Sequence, residues 1–171
     1  LIFKYFGFRN IKILNGGMKN WNKQKFPTTK IIKEHKKSKF YCSNVLSNTI
    51  ITKKELEKVL ENIESYRIVD ARPRKRFLGT VKEPRPNLKK GNIKNSFNIP
   101  FDLISEKGNL KNLKKLEIIF SKENKLKTKN NIICYCGSGI TACNIIFTLN
   151  ILGYRKVQLY DGSWAEWGKK N

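Results

Sequence analysis

Three short apolar runs, Ile68-Val69-Asp70-Ala71, Ile132-Ile133-Cys134-Tyr135 and Val157-Gln158-Leu159-Tyr160, alternate with stretches of helical periodicity. Four residues are too few for a buried helix, and β-branched and aromatic side chains favour extended backbone, so each run reads as a buried strand. Upstream of the first, Thr52-Lys53-Lys54-Glu55 has the form of a capping box, and Leu56, Val59, Leu60 and Ile63 recur at helical spacing behind it. Ser96 to Pro100 reads as another short strand. Leu110 to Phe120 reads as a helix with Leu113, Leu116 and Ile119 or Phe120 on one face. A further helix is expected from about Ile140 to Leu152, and a short one bearing Trp167 closes the chain. Strands that alternate with helices form a mostly parallel sheet covered by helices on both faces, an α/β fold. Working residues in such sheets stand at the carboxyl ends of strands, here the turn after Tyr135 and the loop after Ala71.

The 171 residues suffice for one full domain, and 39% of them are hydrophobic, enough for one sizeable core. No apolar run approaches the roughly 18–20 residues that span a membrane, so no membrane partner is expected. Lys and Arg number 36 against 13 acids, a net charge of +23, which invites anions. The excess is largely Lys scattered beside Asn and Ile in every segment, the mark of a composition bias and not of a nucleic-acid patch. Residues 30–49, with Lys30, Lys33, Lys36, Lys37 and Lys39, lack Arg and any helical stripe and read as a basic linker.

The two ends of the chain resemble each other. At an offset of 146 positions, Gly7 and Gly153, Arg9 and Arg155, Gly16 and Gly162, and Trp21 and Trp167 coincide. Each copy reads as a helix ending at Gly, a short strand, a Gly turn and a helix carrying Trp. Residues 1–29 are therefore expected to be the end of a first repeat, 30–49 a linker, and 50–171 a complete second unit. Leu1 to Phe8 lacks the basic and apolar regions of a signal peptide.

Cys136-Gly137-Ser138-Gly139-Ile140-Thr141 occupies the step from strand to helix. Free backbone N–H groups and the positive end of the helix dipole stabilise an anion there, the nucleophilic thiolate included. The glycines let the backbone curl around the sulfur, and the ring of amides forms an anion-binding nest. Cys134, inside the apolar run, and Cys143, inside the following helix, read as packed small hydrophobes. Cys134, Cys136 and Cys143 lack paired metal-ligand spacing and His35 is the only histidine, so no metal and no cofactor are expected. Four cysteines point to a reducing compartment, the cytoplasm by default and the mitochondrion as the alternative.

The loop after Ala71 carries several arginines, whose planar forks suit carboxylates and oxyanions. Arg72, Arg74 and Lys75 read as solvated surface cations; Arg76 and Arg85 are the candidate anion ligands. The run Arg76-Phe77-Leu78-Gly79-Thr80-Val81-Lys82-Glu83-Pro84-Arg85, with Asp70-Ala71-Arg72, resembles the second domain of the two-domain rhodaneses. Asn98 to Phe101, Cys136 to Cys143 and Tyr160 to Trp167 agree with that resemblance, which covers residues 50–171. It implies a rhodanese-like α/β domain and a sulfurtransferase. In that chemistry Cys136 takes a sulfur atom as a persulfide and passes it to a thiol or to cyanide. The neutral Gly137 and Ser138 match the loop of 3-mercaptopyruvate sulfurtransferases more closely than that of thiosulfate enzymes. The resemblance also makes Arg76 and Arg85 ligands of the small anionic donor and Ser138 a hydrogen-bonding or proton-relaying group. Gly137, Gly139, Ile140 and Thr141 become the substrate-binding loop, with Asp70 in support.

Where the family usually has a His, this chain has Asn92, and the resemblance implies a first domain that packs on the site, of which only residues 1–29 are expected to be represented here. The alternative is therefore a truncated, weakly active or inactive domain serving as a sulfur-relay or partner-binding module. A phosphatase on the same fold would need Arg at the position of Ala142.

Overall fold

The computed structural model describes residues 1–8, 10–37, 39, 41–42 and 47–170. Its elements in chain order are α1 (Ile2–Tyr5), α2 (Gly17–Lys23), β1 (Ile50–Ile51), α3 (Lys53–Glu61), β2 (Tyr66–Asp70), α4 (Arg74–Phe77) and β3 (Ser96–Asn98). These are followed by β4 (Ser105–Glu106), β5 (Asn109–Leu110), α5 (Leu113–Glu117), β6 (Asn131–Tyr135), α6 (Ala142–Ile151), β7 (Val157–Tyr160) and α7 (Ser163–Trp167). Five strands form one parallel sheet in the order β1-β7-β6-β2-β3, while β4 and β5 make a small antiparallel hairpin.

Side chains alternate across a strand, so each central strand feeds two cores. On one face Val69, Ala71, Ile132, Cys134 and Leu159 pack with Leu116, Phe120, Ile145 and Leu149 from α5, the turn after it and α6. On the other, Ile68, Ile133, Tyr135 and Tyr160 pack with Leu56 of α3 and Trp164 of α7. The α/β expectation with helices on both faces therefore holds. The capping box forms as read: Thr52 Oγ1 accepts from Glu55 N, and the Glu55 carboxylate accepts from Thr52 N at 2.7 Å.

Two local expectations need correction. The helix read over 110–120 stays α-helical only through Leu113–Glu117 and widens into a π-type turn over Ile118–Glu123. Ile119 and Phe120 in that turn are both buried, while Leu113, in the first turn of α5, is 58% exposed. The strand expected in the first repeat copy, over 11–14, does not form. Among the described residues no strand lies beside it to take its backbone hydrogen bonds, and Ile11, Ile13 and Leu14 are exposed. The rest of that segment is tied to the domain: Leu1 packs on the α6-side core, and Asn15 Oδ1 accepts from Leu110 N at 2.8 Å. Arg9 of the repeat comparison, and part of the linker, lie outside the described residues.

Candidate active site

The carboxyl ends of β2, β6 and β7 stand side by side, because β6 pairs with both of its neighbours in parallel register. Cys136 follows β6 directly. Its N–H donates to Ser163 Oγ at 3.2 Å, and that hydroxyl donates to Tyr160 O at 2.9 Å. The carbonyls of Cys136 and Gly137 accept from Trp164 N and Ala165 N, at 2.9 and 3.0 Å. The first turn of α7 thus fastens the carbonyl side of the loop. Its amide side is left open: among the described residues no protein acceptor takes the N–H of Gly137, Ser138, Gly139, Ile140 or Thr141. Five consecutive unspent donors leading into α6 are the groups from which an anion-binding nest is built.

The two glycines of the loop serve different ends. Gly139 has φ of +81°, and a Cβ there would lie 2.8 Å from Asp161 Oδ1 and 3.2 Å from Asp161 O, so it turns the chain against the end of β7. Gly137 has no such strain. A Cβ there would lie 3.0 Å from an Nη atom of Arg76, because the guanidinium rests against its Cα. The loop is therefore bare where a cation approaches it.

Arg76 is held in place from the other side. It ion-pairs with Glu83 through Nη2, and its Nε donates to Glu83 Oε2 at 3.1 Å. Glu83 also accepts from Arg72 Nη1 at 2.9 Å. Arg72 grips the Asp70 carboxylate at 2.6 Å, donates to Gly91 O at 2.7 Å, and lies over the Trp164 ring at 4.4 Å. Burial lowers the Arg72 pKa, but the hydrogen-bonded Asp70 carboxylate more than offsets this and leaves it above the ordinary value. Asn98 Nδ2 binds the carbonyls of both Asp70 and Arg72, clamping the turn that leaves β2.

The placements differ from the expectations in instructive ways. Arg74 and Lys75 are exposed, as expected, but Arg72 is 1% exposed and is no surface cation. The signal for its burial was present. Between Tyr66 and Phe101 the sequence has two acids, Asp70 and Glu83, among many cations. An acid that closes a buried strand needs a partner. Arg85 is exposed and, among the described residues, makes no hydrogen bond or ion pair, so it is not tied to the loop as Arg76 is. Ser138 and Thr141 are part-exposed, with no side-chain hydrogen bond among the described residues, and Ile140 is 75% exposed. Cys136 is 2% exposed, at the floor of the loop and not at its rim. Cys134 is fully buried, and burial pushes its thiol well above the ordinary value. Cys143 donates through Sγ to Gly139 O at 3.3 Å, and burial raises it too.

Comparison with known proteins supplies the family. The model of the rhodanese-like domain matches residues 52–170. The chain belongs to the rhodanese-like family. It is 35% identical over 173 residues to rat thiosulfate sulfurtransferase and 34% identical over 169 residues to mouse 3-mercaptopyruvate sulfurtransferase. Those matches take in 99% and 97% of this chain but 57% and 55% of the relatives, so the chain spans little more than half their length. Among solved structures, the 3-mercaptopyruvate sulfurtransferase SseA of Escherichia coli superposes with a TM-score of 0.79 at 28% identity, over 94% of this chain and 59% of that one. A sulfur transferase subunit of yeast mitochondrial complex I gives 0.86 at 26% identity, over 97% and 62%. Among the described residues no helix is long and apolar enough to cross a membrane.

Proposed function

We propose that this rhodanese-like chain is a sulfurtransferase in which Cys136 carries the transferred sulfur. The Cys136 thiolate attacks the sulfur of a small anionic donor, and the electron pair of the broken bond leaves with the donor remnant. From 3-mercaptopyruvate the carbon–sulfur bond breaks, and the enolate of pyruvate leaves and takes up a proton. From thiosulfate the sulfur–sulfur bond breaks and sulfite leaves. The Cys136 persulfide then yields its outer sulfur to cyanide, giving thiocyanate, or to an acceptor thiol, and the thiolate returns.

One observation carries this reading: the unspent amides of the 137–141 loop sit directly after Cys136, with the Arg76 guanidinium against Gly137. Amides and guanidinium together supply donors and positive charge for a substrate anion and for the persulfide. Gly137 and Ser138 bring no cation of their own, and a guanidinium fork matches a carboxylate. We therefore favour 3-mercaptopyruvate over thiosulfate, with Arg76 and Arg85 receiving the carboxylate and carbonyl and Ser138 donating a hydrogen bond to the donor. Asp70 supports the site through Arg72.

Residues 1–29 are proposed as the end of a first repeat. At the same 146-residue offset Gly7 and Gly153 have φ of 84° and 87°, and Gly17 and Ser163 have 55° and 51°, whereas Gly16 and Gly162 differ, at 82° and −55°. Residues 30–49 are the proposed linker. The low exposure of Cys136 favours a second reading, in which the chain works slowly by itself as a sulfur-relay module. For the compartment, the cytoplasm stays the proposal and the mitochondrion the alternative, which the yeast neighbour supports.

The test is transfer to cyanide from each donor, with intact-mass detection of the persulfide, a gain of about 32 Da for one sulfur. The expected result is faster transfer from 3-mercaptopyruvate and loss of both product and adduct in Cys136→Ser. Product formation by Cys136→Ser would overturn the nucleophile, and equal loss for both donors in Arg85→Ala would overturn its carboxylate role.

A further inference from the structure

We infer that Arg72, which touches no reacting atom, is a positioning residue that aims Arg76 at the cysteine loop through the shared carboxylate of Glu83. The inference rests on the reading of Cys136 and Arg76 as the site.

The geometry is a chain of alternating charges: Asp70, Arg72, Glu83, Arg76. Asp70 ends β2 and is fully buried, and Arg72 joins it with Nε and Nη2, so the Arg72 fork is fixed by a strand of the central sheet. The Trp164 face at 4.4 Å and the Gly91 carbonyl at 2.7 Å close off the other directions in which the guanidinium could move. The Arg72 side chain is 0% exposed and that of Glu83 is 1%, whereas that of Arg76 is 22%. Shielding from water thus decreases along this series of charges, from the sheet towards the loop. Glu83 sits in a long segment with few regular elements, and its hydrogen bond to Arg72 Nη1 ties its carboxylate to the sheet. Arg76, on the single turn of α4, takes its direction from that carboxylate and meets Gly137. A long side chain that must present a planar fork within a few tenths of an ångström needs such support, because a free one samples many rotamers.

Trp164 links the same chain of charges to the loop backbone. Its ring stacks on Arg72, its Nε1 donates to Lys89 O at 2.9 Å, and its N–H donates to Cys136 O. The cation's support and the loop's support therefore share one residue.

The experiment measures alkylation of Cys136 by iodoacetate and by iodoacetamide, separated from the other cysteines by peptide mass mapping. The two reagents differ in a carboxylate, so their rate ratio reports a cation aimed at the sulfur. It does not depend on catalysis, and it cancels changes in general access to the thiol. Arg76→Gln is expected to lower the ratio at least about fivefold. Arg72→Lys and Glu83→Asp keep every charge but break the geometry, and each is expected to lower it comparably while Arg76 is still present. Glu83→Asp, on the outer segment, serves should Arg72→Lys fail to fold. Arg74→Gln, an exposed neighbour, is expected to leave the ratio unchanged. A ratio at the wild-type value in Glu83→Asp or in folded Arg72→Lys, with Arg76→Gln lowered, overturns the positioning role alone. A ratio that Arg76→Gln does not move, or a Cys136 that neither reagent labels, overturns the reading of the site beneath it.

Discussion

Alanine placed at each of the two loop glycines gives opposite results, although they are two residues apart. At Gly137 the backbone tolerates a Cβ, and the obstacle is the Arg76 Nη at 3.0 Å. Ordinary contact lies near 3.5–4.0 Å, so the guanidinium retreats by roughly 0.5 Å. A displacement of 1 Å costs on the order of 100-fold in rate, so Gly137→Ala is expected to lose about tenfold in transfer from 3-mercaptopyruvate. Its stability stays within about 1 kcal/mol of wild type, since Gly→Ala at a compatible site gains ~0.4–1 kcal/mol through the unfolded chain. At Gly139 the left-handed conformation alone costs about 1–2 kcal/mol. The Asp161 carbonyl at 3.2 Å, which is backbone and cannot swing aside, adds to that. Gly139→Ala is expected to lower Tm by roughly 2–8 °C from the conformational cost alone, at ~2–4 °C per kcal/mol. Thermal melts by circular dichroism and thiocyanate formation measure both quantities on both variants. A Gly137→Ala protein with the full wild-type rate would refute the claim that Arg76 is crowded against this loop. Equal destabilisation by the two substitutions would refute the division of labour between the glycines.

Further outcomes follow from the same contacts. Arg72→Ala leaves the buried Asp70 carboxylate without its guanidinium and is expected to cost about 3–5 kcal/mol in chemical denaturation. Thr52→Ala removes the cap of α3 and is expected to cost about 1 kcal/mol by the same measurement. The Thr52 hydroxyl and backbone N–H hold the exposed Glu55 carboxyl below its ordinary value of 4.5, so its contribution is complete above that pH and is lost as pH falls through the lower folded-state value. The Tm difference between wild type and Glu55→Gln is therefore expected at neutral pH and should shrink as the solution is acidified below 4.5. Under native conditions iodoacetamide is expected to label exposed Cys42 and to spare Cys134, whose burial disfavours the thiolate; peptide mapping that finds Cys134 labelled in the folded protein would contradict this.

Much of the frame was legible because local rules suffice for it. The runs at Ile68, Ile132 and Val157 became β2, β6 and β7, and Thr52 and Glu55 capped α3, since alternation and capping depend on neighbours in sequence. Strand β1 and the β4–β5 hairpin leave no mark in the sequence pattern, because two-residue strands carry no period. Helical spacing puts Leu113 on the face of Leu116, yet Leu116 is buried and Leu113, in the first turn of α5, is 58% exposed. The first repeat copy has the same apolar spacing as β7 but, among the described residues, no neighbouring strand, so the same pattern gives a strand at 157–160 and none at 11–14.

The sequence by itself determined the order of strands and helices, the cysteine loop at the end of a strand and the glycines that let it curl. Each of these follows from side-chain period or backbone freedom within a few residues. Only the tertiary structure decided which arginine meets the loop. Arg72 and Arg76 are four residues apart with the same side chain. What separates them is Asp70 at the end of β2, Glu83 in the loop that follows, and Trp164, which the fold brings from the far end of the chain. The desolvation of a guanidinium depends on every partner around it, and local sequence does not record that sum.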